Sequence, residues 1–105
     1  MNDMKILLDS ITEGIKEKKG KHIRIVDLNG IDETICKYLV ICEGNSPTQV
    51  SALYDSVREF ARKEAGQKPV TVDGLRNCLW IAMDYTDVVV HIFLSQLSPK
   101  TLLFL

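Results

Sequence analysis

The chain has little of what usually announces a function. Its 105 residues include two histidines, three cysteines, three prolines and one tryptophan. The cysteines, Cys36, Cys42 and Cys78, are odd in number and form no C-x-x-C pair, which argues against a secreted disulfide framework and points to a reducing compartment. No apolar run approaches the ~18 residues that span a bilayer, and the N-terminal residues have neither the charged-then-apolar layout of a secretory signal nor the Arg- and Ser-rich composition of a transit peptide. The expectation is a cytoplasmic protein without a membrane segment. There is no excess of charge of either sign: the net charge is −1, unlike the strongly basic balance of a protein that coats DNA. Repeats, low-complexity tracts and Pro/Gly-rich linkers are absent too, so the whole chain, 1–105, reads as one domain.

What is present is a regular patterning of apolar residues. Met4, Leu7, Leu8, Ile11 and Ile15 recur at helical spacing. With Asp3 able to cap the start and Gly20 the end, this predicts a helix over about 3–19. Ile23 to Leu28 reads as a first strand with most of both faces buried, and Tyr38–Cys42 as a central strand. Ser46-Pro47-Thr48-Gln49 then combines an N-cap serine, proline at the first helical position and glutamine three residues past the cap. The helix it starts should end at Gly66, before Pro69. Three strand-like runs follow: a short one at Val70–Asp73, one at Cys78–Met83 around Trp80, and one at Val88–Leu94 after the turn Asp84-Tyr85-Thr86-Asp87. The order α-β-β-α-β-β-β predicts an α/β fold with a mixed sheet of about five strands, its last two strands a hairpin.

Few residues are arranged for catalysis. His91 lies inside a strand and His22 just before one, and no serine or cysteine sits in a G-x-S-x-G turn. Cys36, Cys42, Cys78 and His91 are wrongly spaced for a zinc site, so neither a metal nor a cofactor is expected. The Glu43–Ser46 loop enters a helix N-terminus, a place where phosphate can bind, but it has one glycine and no lysine, and a plain cap accounts for it better. The acidic pairs Asp32/Glu33 and Asp84/Asp87 fit ordinary loop chemistry better than Mg²⁺ binding. Lys16, Lys18, Lys19, Lys21 and Arg24 against Glu17 make a local charge of +4, which leaves −5 for the rest of the chain. A solvated helix end explains most such runs, and an RNA contact is the minority reading. Trp80 reads equally as a core residue and as a protein-binding hot spot beside acids.

Taken in order, the pieces resemble a known family. Tyr38-Leu39-Val40-Ile41, Glu43-Gly44-Asn45-Ser46, Gln49-Val50, Asp55, Gly66, Pro69, Asp73-Gly74-Leu75, Trp80, Asp84-Tyr85 and Asp87-Val88-Val89-Val90-His91-Ile92-Phe93 are similar to the signature of the ribosomal silencing factors, also called Iojap-like proteins. The resemblance implies a nucleotidyltransferase-like fold used without catalysis. It implies a translation repressor that binds a basic protein on the inter-subunit face of the large ribosomal subunit, number fourteen of that subunit, and blocks subunit joining under nutrient limitation. It implies a homodimer of the free protein, and neither DNA nor membrane as partner. By the same resemblance Trp80, Asp84, Tyr85, Asp87 and His91 form the docking set, Trp80 and Tyr85 supplying anchor area, with Tyr38, Lys18 and Lys19 as secondary contacts. The alternative is a nucleotide- or phosphate-binding enzyme using the Glu43–Ser46 loop, although the spaced metal-binding aspartates of the transferases do not follow that loop. The sequence departs from the family pattern at Thr86, where a glycine is usual, and from Ser95 onward, so 95–105 is set apart as an atypical tail.

Overall fold

The computed structural model describes residues 3–31 and 36–97. The Asp32/Glu33 pair and the tail from Ser98 onward lie outside the described residues. Two helices and five strands follow the expected order: α1 (Asp3–Glu17), β1 (Lys21–Asp27), β2 (Tyr38–Gly44), α2 (Pro47–Ala65), β3 (Thr71–Asp73), β4 (Trp80–Asp84) and β5 (Val88–Leu94), with a 3₁₀ turn at Ser95–Leu97.

The α2 boundaries form as the sequence predicts. Ser46 has extended backbone angles and its side chain accepts from the Gln49 N–H at 3.1 Å, with Pro47 at the first helical position. The Gln49 side chain does not close the box on the Ser46 N–H; its Oε1 accepts from the Asn45 N–H at 2.6 Å instead. At the other end Gly66 is left-handed, and the N–H groups of Gly66 and Gln67 bond the carbonyls of Arg62 and Ala61. The α1 terminus differs from expectation: Lys19, not Gly20, takes the left-handed conformation, at φ 59°. Gly20 is required for space instead. A Cβ there would sit 2.5 Å from Ile15 Cγ2 and 2.9 Å from Leu53 Cδ2.

The strands order as β1-β2-β5-β4-β3, with β2 parallel to β5 and every other neighbour antiparallel. The parallel pair is thus β2 with the last strand, not with the strand directly after α2; that strand, β3, is only three residues long and pairs at the edge of the sheet. Both helices lie on one face. α2 crosses β2, β5 and β4, and α1 packs chiefly against α2. Ile11, Ile15, Val40, Cys42, Val50, Leu53, Val57, Ile81, Met83, Val88, Val90 and Ile92 form the fully buried core between the layers. The helices cross closely at Gly14, where a Cβ would come 2.9 Å from Val57 Cα, and the Ser56 hydroxyl donates to the Gly14 carbonyl at 2.7 Å.

The expectation that β1 is buried on both faces is corrected. It is an edge strand that extends past the helical layer. Ile23 packs against the core, but Ile25 and Val26 are 48% and 38% exposed. An apolar run cannot distinguish a strand buried on both sides from an edge strand, because the missing neighbour is not written in the run itself. No helix among the described residues is long and apolar enough to cross a membrane.

Candidate functional site

Because both helices cover one face, the other face of the sheet is left open by the described residues. Strand alternation places there every second residue: Trp80, Ala82 and Asp84 of β4 opposite Phe93, His91 and Val89 of β5, which face Glu43, Ile41 and Leu39 of β2. Arg24 and Val26 of β1 continue the face past Ile41 and Leu39.

It carries an aromatic cluster. Trp80 stacks on Phe93 with ring centroids 5.4 Å apart and planes 12° from parallel, and on His91 at 5.6 Å and 30°; His91 and Phe93 are 5.9 Å apart. The indole Nε1–H donates to His91 Nδ1 at 2.8 Å. That bond requires Nδ1 unprotonated, so the imidazole is neutral with its proton on Nε2. Burial holds the His91 pKa below its ordinary value, which keeps the ring neutral. Phe93 lies almost wholly buried beneath the stack, whereas Trp80 remains 48% exposed. A tryptophan half in water yet held at both its ring face and its N–H is preorganised to bury its remaining area against a partner.

The other expected residues fall into separate places. Asp84 lies four residues along β4 from Trp80, about 13 Å at ~3.3 Å per residue. Its Oδ1 accepts from the Thr86 N–H at 2.7 Å and so helps hold the turn. Asp87 is half-buried, and its carbonyl accepts from the N–H groups of Lys37 and Tyr38. Tyr38 therefore lies beside Asp87, at the hairpin end of the sheet. Lys18 and Lys19 lie at the opposite end, exposed, where α1 turns into β1. The structure thus unites Trp80 with His91, and Asp84 with Asp87 and Tyr38, but not these two groups with each other.

Tyr85 is corrected. It was expected to supply anchor area to a partner, yet it is 4% exposed and part of the core. One residue past Asp84, the chain alternation turns it toward the helices. Its hydroxyl has no hydrogen-bond partner among the described residues, and burial pushes the phenol pKa up to about 12. Phe93 and Glu43 also lie on this face, although neither was in the expected docking set. The signal for Phe93 was available: it stands two residues from His91 in a strand, hence on the same face. Glu43 is buried, with His22 Nδ1 3.4 Å from its Oε2.

The competing chemistries gain little from the geometry. An open cleft of about 530 Å³ lies where the N-terminal half of α2 meets the β3–β4 loop, lined among others by Thr48, Ser51, Asp55, Arg76 and Cys78. The N-terminus of α2 is already capped by Ser46, and the side chain of Gln49 holds the preceding loop, so a phosphate would have to compete with these bonds. Among the described residues no three His, Cys, Asp or Glu side chains cluster closely enough to hold a metal ion.

Against known proteins, residues 2–97 match the family model described as ribosomal silencing factor during starvation. The chain is 31% identical over 87 residues to the ribosomal silencing factor RsfS of Halalkalibacterium halodurans, covering 83% of this chain and 73% of that one. It is 31% identical over 91 residues to RsfS of Bacillus subtilis, covering 87% and 75%. Among solved structures, a Chromobacterium violaceum protein superposes with a TM-score of 0.80 at 31% identity, covering 90% of this chain and 76% of that one. A Bacillus halodurans protein superposes with a TM-score of 0.79 at 26% identity, covering 93% and 89%.

Proposed function

The chain belongs to the ribosomal silencing factor family, a family of translation regulators active in starvation, and from that premise we propose that its open sheet face docks on the large ribosomal subunit. The partner is a basic protein of the inter-subunit face, the fourteenth of that subunit. The bound domain occupies the ground that the small subunit needs, so joining stops and translation is repressed when nutrients are limiting. The protein acts in the cytoplasm, without a cofactor and without a chemical step. Steric exclusion needs only a residence time longer than the encounter between subunits.

The observation that carries this reading is the preorganised Trp80 on an uncovered sheet. Half-exposed tryptophans with fixed rotamers are the type of residue that dominates binding energy, because they bury large area at low entropic cost. Asp84 and Asp87, at the hairpin end, supply charge of the sign that a basic partner needs, which raises the on-rate more than the affinity. His91 and Phe93 hold the anchor in place. The same open face suits a homodimer of the free protein, which the ribosomal partner displaces.

Sedimentation tests the reading. The purified protein should travel with isolated large subunits through a gradient and lower the yield of joined ribosomes when small subunits are added. Protein that stays at the top of the gradient at micromolar concentration would refute it.

A further inference from the structure

We propose that the basic corner formed by the end of α1 and the start of β1 is a docking surface for the phosphate backbone of RNA. This goes beyond the protein-docking reading and can stand if that reading fails.

Lys16, Lys18, Lys19, Lys21 and Arg24 are all exposed. None of them takes part in an ion pair among the described residues, whereas Lys5, Arg62 and Lys63 pair with Asp9 or Glu59. The helix dipole accounts for cations in the last turn of α1, but not for Lys21 and Arg24, which belong to a strand. Nor do the lysines serve as caps. The Gly20 N–H bonds the Ile15 carbonyl at 2.9 Å, and the Gln49 side-chain amide reaches across from α2 to donate to the carbonyls of both Lys18 and Lys19 at 3.2 Å.

These bonds make the corner rigid. Gln49 is itself held by the Asn45 N–H, and Gly20 is wedged against Ile15 and Leu53. Lys19 and His22 have positive φ, and the register shifts between Lys21 and Arg24. The bulge places Lys21 opposite Glu43 and Arg24 opposite Ile41, so both cations belong to the face that carries Trp80. The row Lys21, Glu43, Phe93, Trp80 crosses four neighbouring strands. At ~4.8 Å per strand, Lys21 stands about 14 Å from Trp80. Exposed cations without ion-pair partners among the described residues, carried on a bonded backbone turn at the end of the sheet where Trp80 lies, fit a polyanionic backbone such as that of RNA. Lysines with no internal partner neutralise phosphates without first breaking a bond, and each contact releases counterions.

The test is fluorescence anisotropy with a labelled stem–loop of large-subunit RNA, free of protein, at about 50 to 200 mM KCl. About four phosphate contacts predict a slope of log K on log salt near −3. The variant Lys18→Gln/Lys19→Gln/Lys21→Gln should bind about tenfold or more weaker at the lowest salt and flatten the slope by about 2, while Lys5→Gln/Lys63→Gln changes neither. Trp80→Ala should leave RNA binding intact while losing the isolated ribosomal protein; retained RNA binding with no protein binding in the parent would sink the docking reading alone. Three results overturn the RNA surface: no salt-dependent binding at low salt, equal loss in the Lys5/Lys63 control, or binding to phosphatidylglycerol vesicles that exceeds binding to RNA.

Discussion

The Trp80 indole N–H donates to Nδ1 of His91 on the neighbouring strand, 2.8 Å away, and this bond, with the stack on Phe93, holds the most exposed aromatic side chain on the sheet. The bond survives only while Nδ1 carries no proton. The unfolded chain takes up that proton near the ordinary histidine value, ~6.5, whereas burial holds the folded imidazole lower. The unfolded state therefore binds more protons in this window, so the His91 contribution to stability is complete above ~6.5 and is lost as pH falls toward the lowered folded value.

The first prediction follows from that sign. The difference in thermal midpoint between the parent and His91→Gln should shrink as pH is lowered from 7.5 to 5.5, because glutamine can accept the same indole bond and does not titrate. Tryptophan fluorescence should follow in parent protein only, Trp80 being the single tryptophan. A difference independent of pH would show that His91 titrates alike in the folded and unfolded states, and would refute the lowered value.

Trp80→Ala separates binding from stability. The side chain is 48% exposed, so its loss removes a stacking partner from Phe93 rather than a core residue. The cost to folding should be about 2–3 kcal/mol, from the buried half of the indole together with one aromatic pair. Binding to the large subunit should weaken by 2 kcal/mol or more, about 30-fold, as for an anchor residue. Urea denaturation and gradient co-sedimentation read the two effects separately.

Gly14→Ala should destabilise the protein although alanine is the better helix former. The propensity gain is about 1 kcal/mol. The new methyl, however, meets backbone atoms of Val57 and Ser56 at 2.9–3.1 Å, which cannot rotate away. Separating two packed helices costs about 1–3 kcal/mol, so the net change is unfavourable, and the urea midpoint should fall.

Thr86→Gly should act in the opposite direction. Thr86 has φ 76°, a conformation that β-branched residues rarely adopt. Relief of about 1 kcal/mol of strain is partly offset by the greater freedom of glycine in the unfolded chain. A small rise in midpoint is expected, with the turn kept by the bond from the Thr86 N–H to Asp84.

Thiol reactivity should discriminate among the cysteines. Cys42 is fully buried in the core, and burial pushes its thiol up to about 12. It should resist iodoacetamide at pH 8 until denaturant is added, while Cys78, half-exposed in the β3–β4 loop, reacts in the native protein. Mass spectrometry of labelled peptides checks the order.

Much of the architecture was legible because it rests on local rules. The apolar period of 3–19, the Ser46 cap, the Gly66 stop and the run of strand formers at Val88–Leu94 each describe the chain's own backbone, and the element order follows from them. Trp80, His91 and the two acids could be named from the residues and the family they resemble. What failed depended on neighbours distant in sequence. β1 looked like a buried strand because its apolar residues say nothing of whether another strand lies beside them. Tyr85 was named as an anchor by the family resemblance, yet alternation past the end of β4 turns it into the core. Gly20 looked like a helix stop, whereas its place is set by Leu53 on the other helix.

The sequence by itself determined which segments are helix and strand, and that 16–24 carries a cluster of cations. The tertiary structure alone decided that both helices share one face of the sheet, so that the described residues leave the other open. It also decided that Phe93 lies under Trp80 and that Gln49 clamps the basic corner. The physical reason is range. Capping, periodicity and alternation act within a few residues, while exposure depends on which parts of the chain come to lie side by side, and β2 meets β5, rather than the strand directly after α2, only when the whole sheet has assembled.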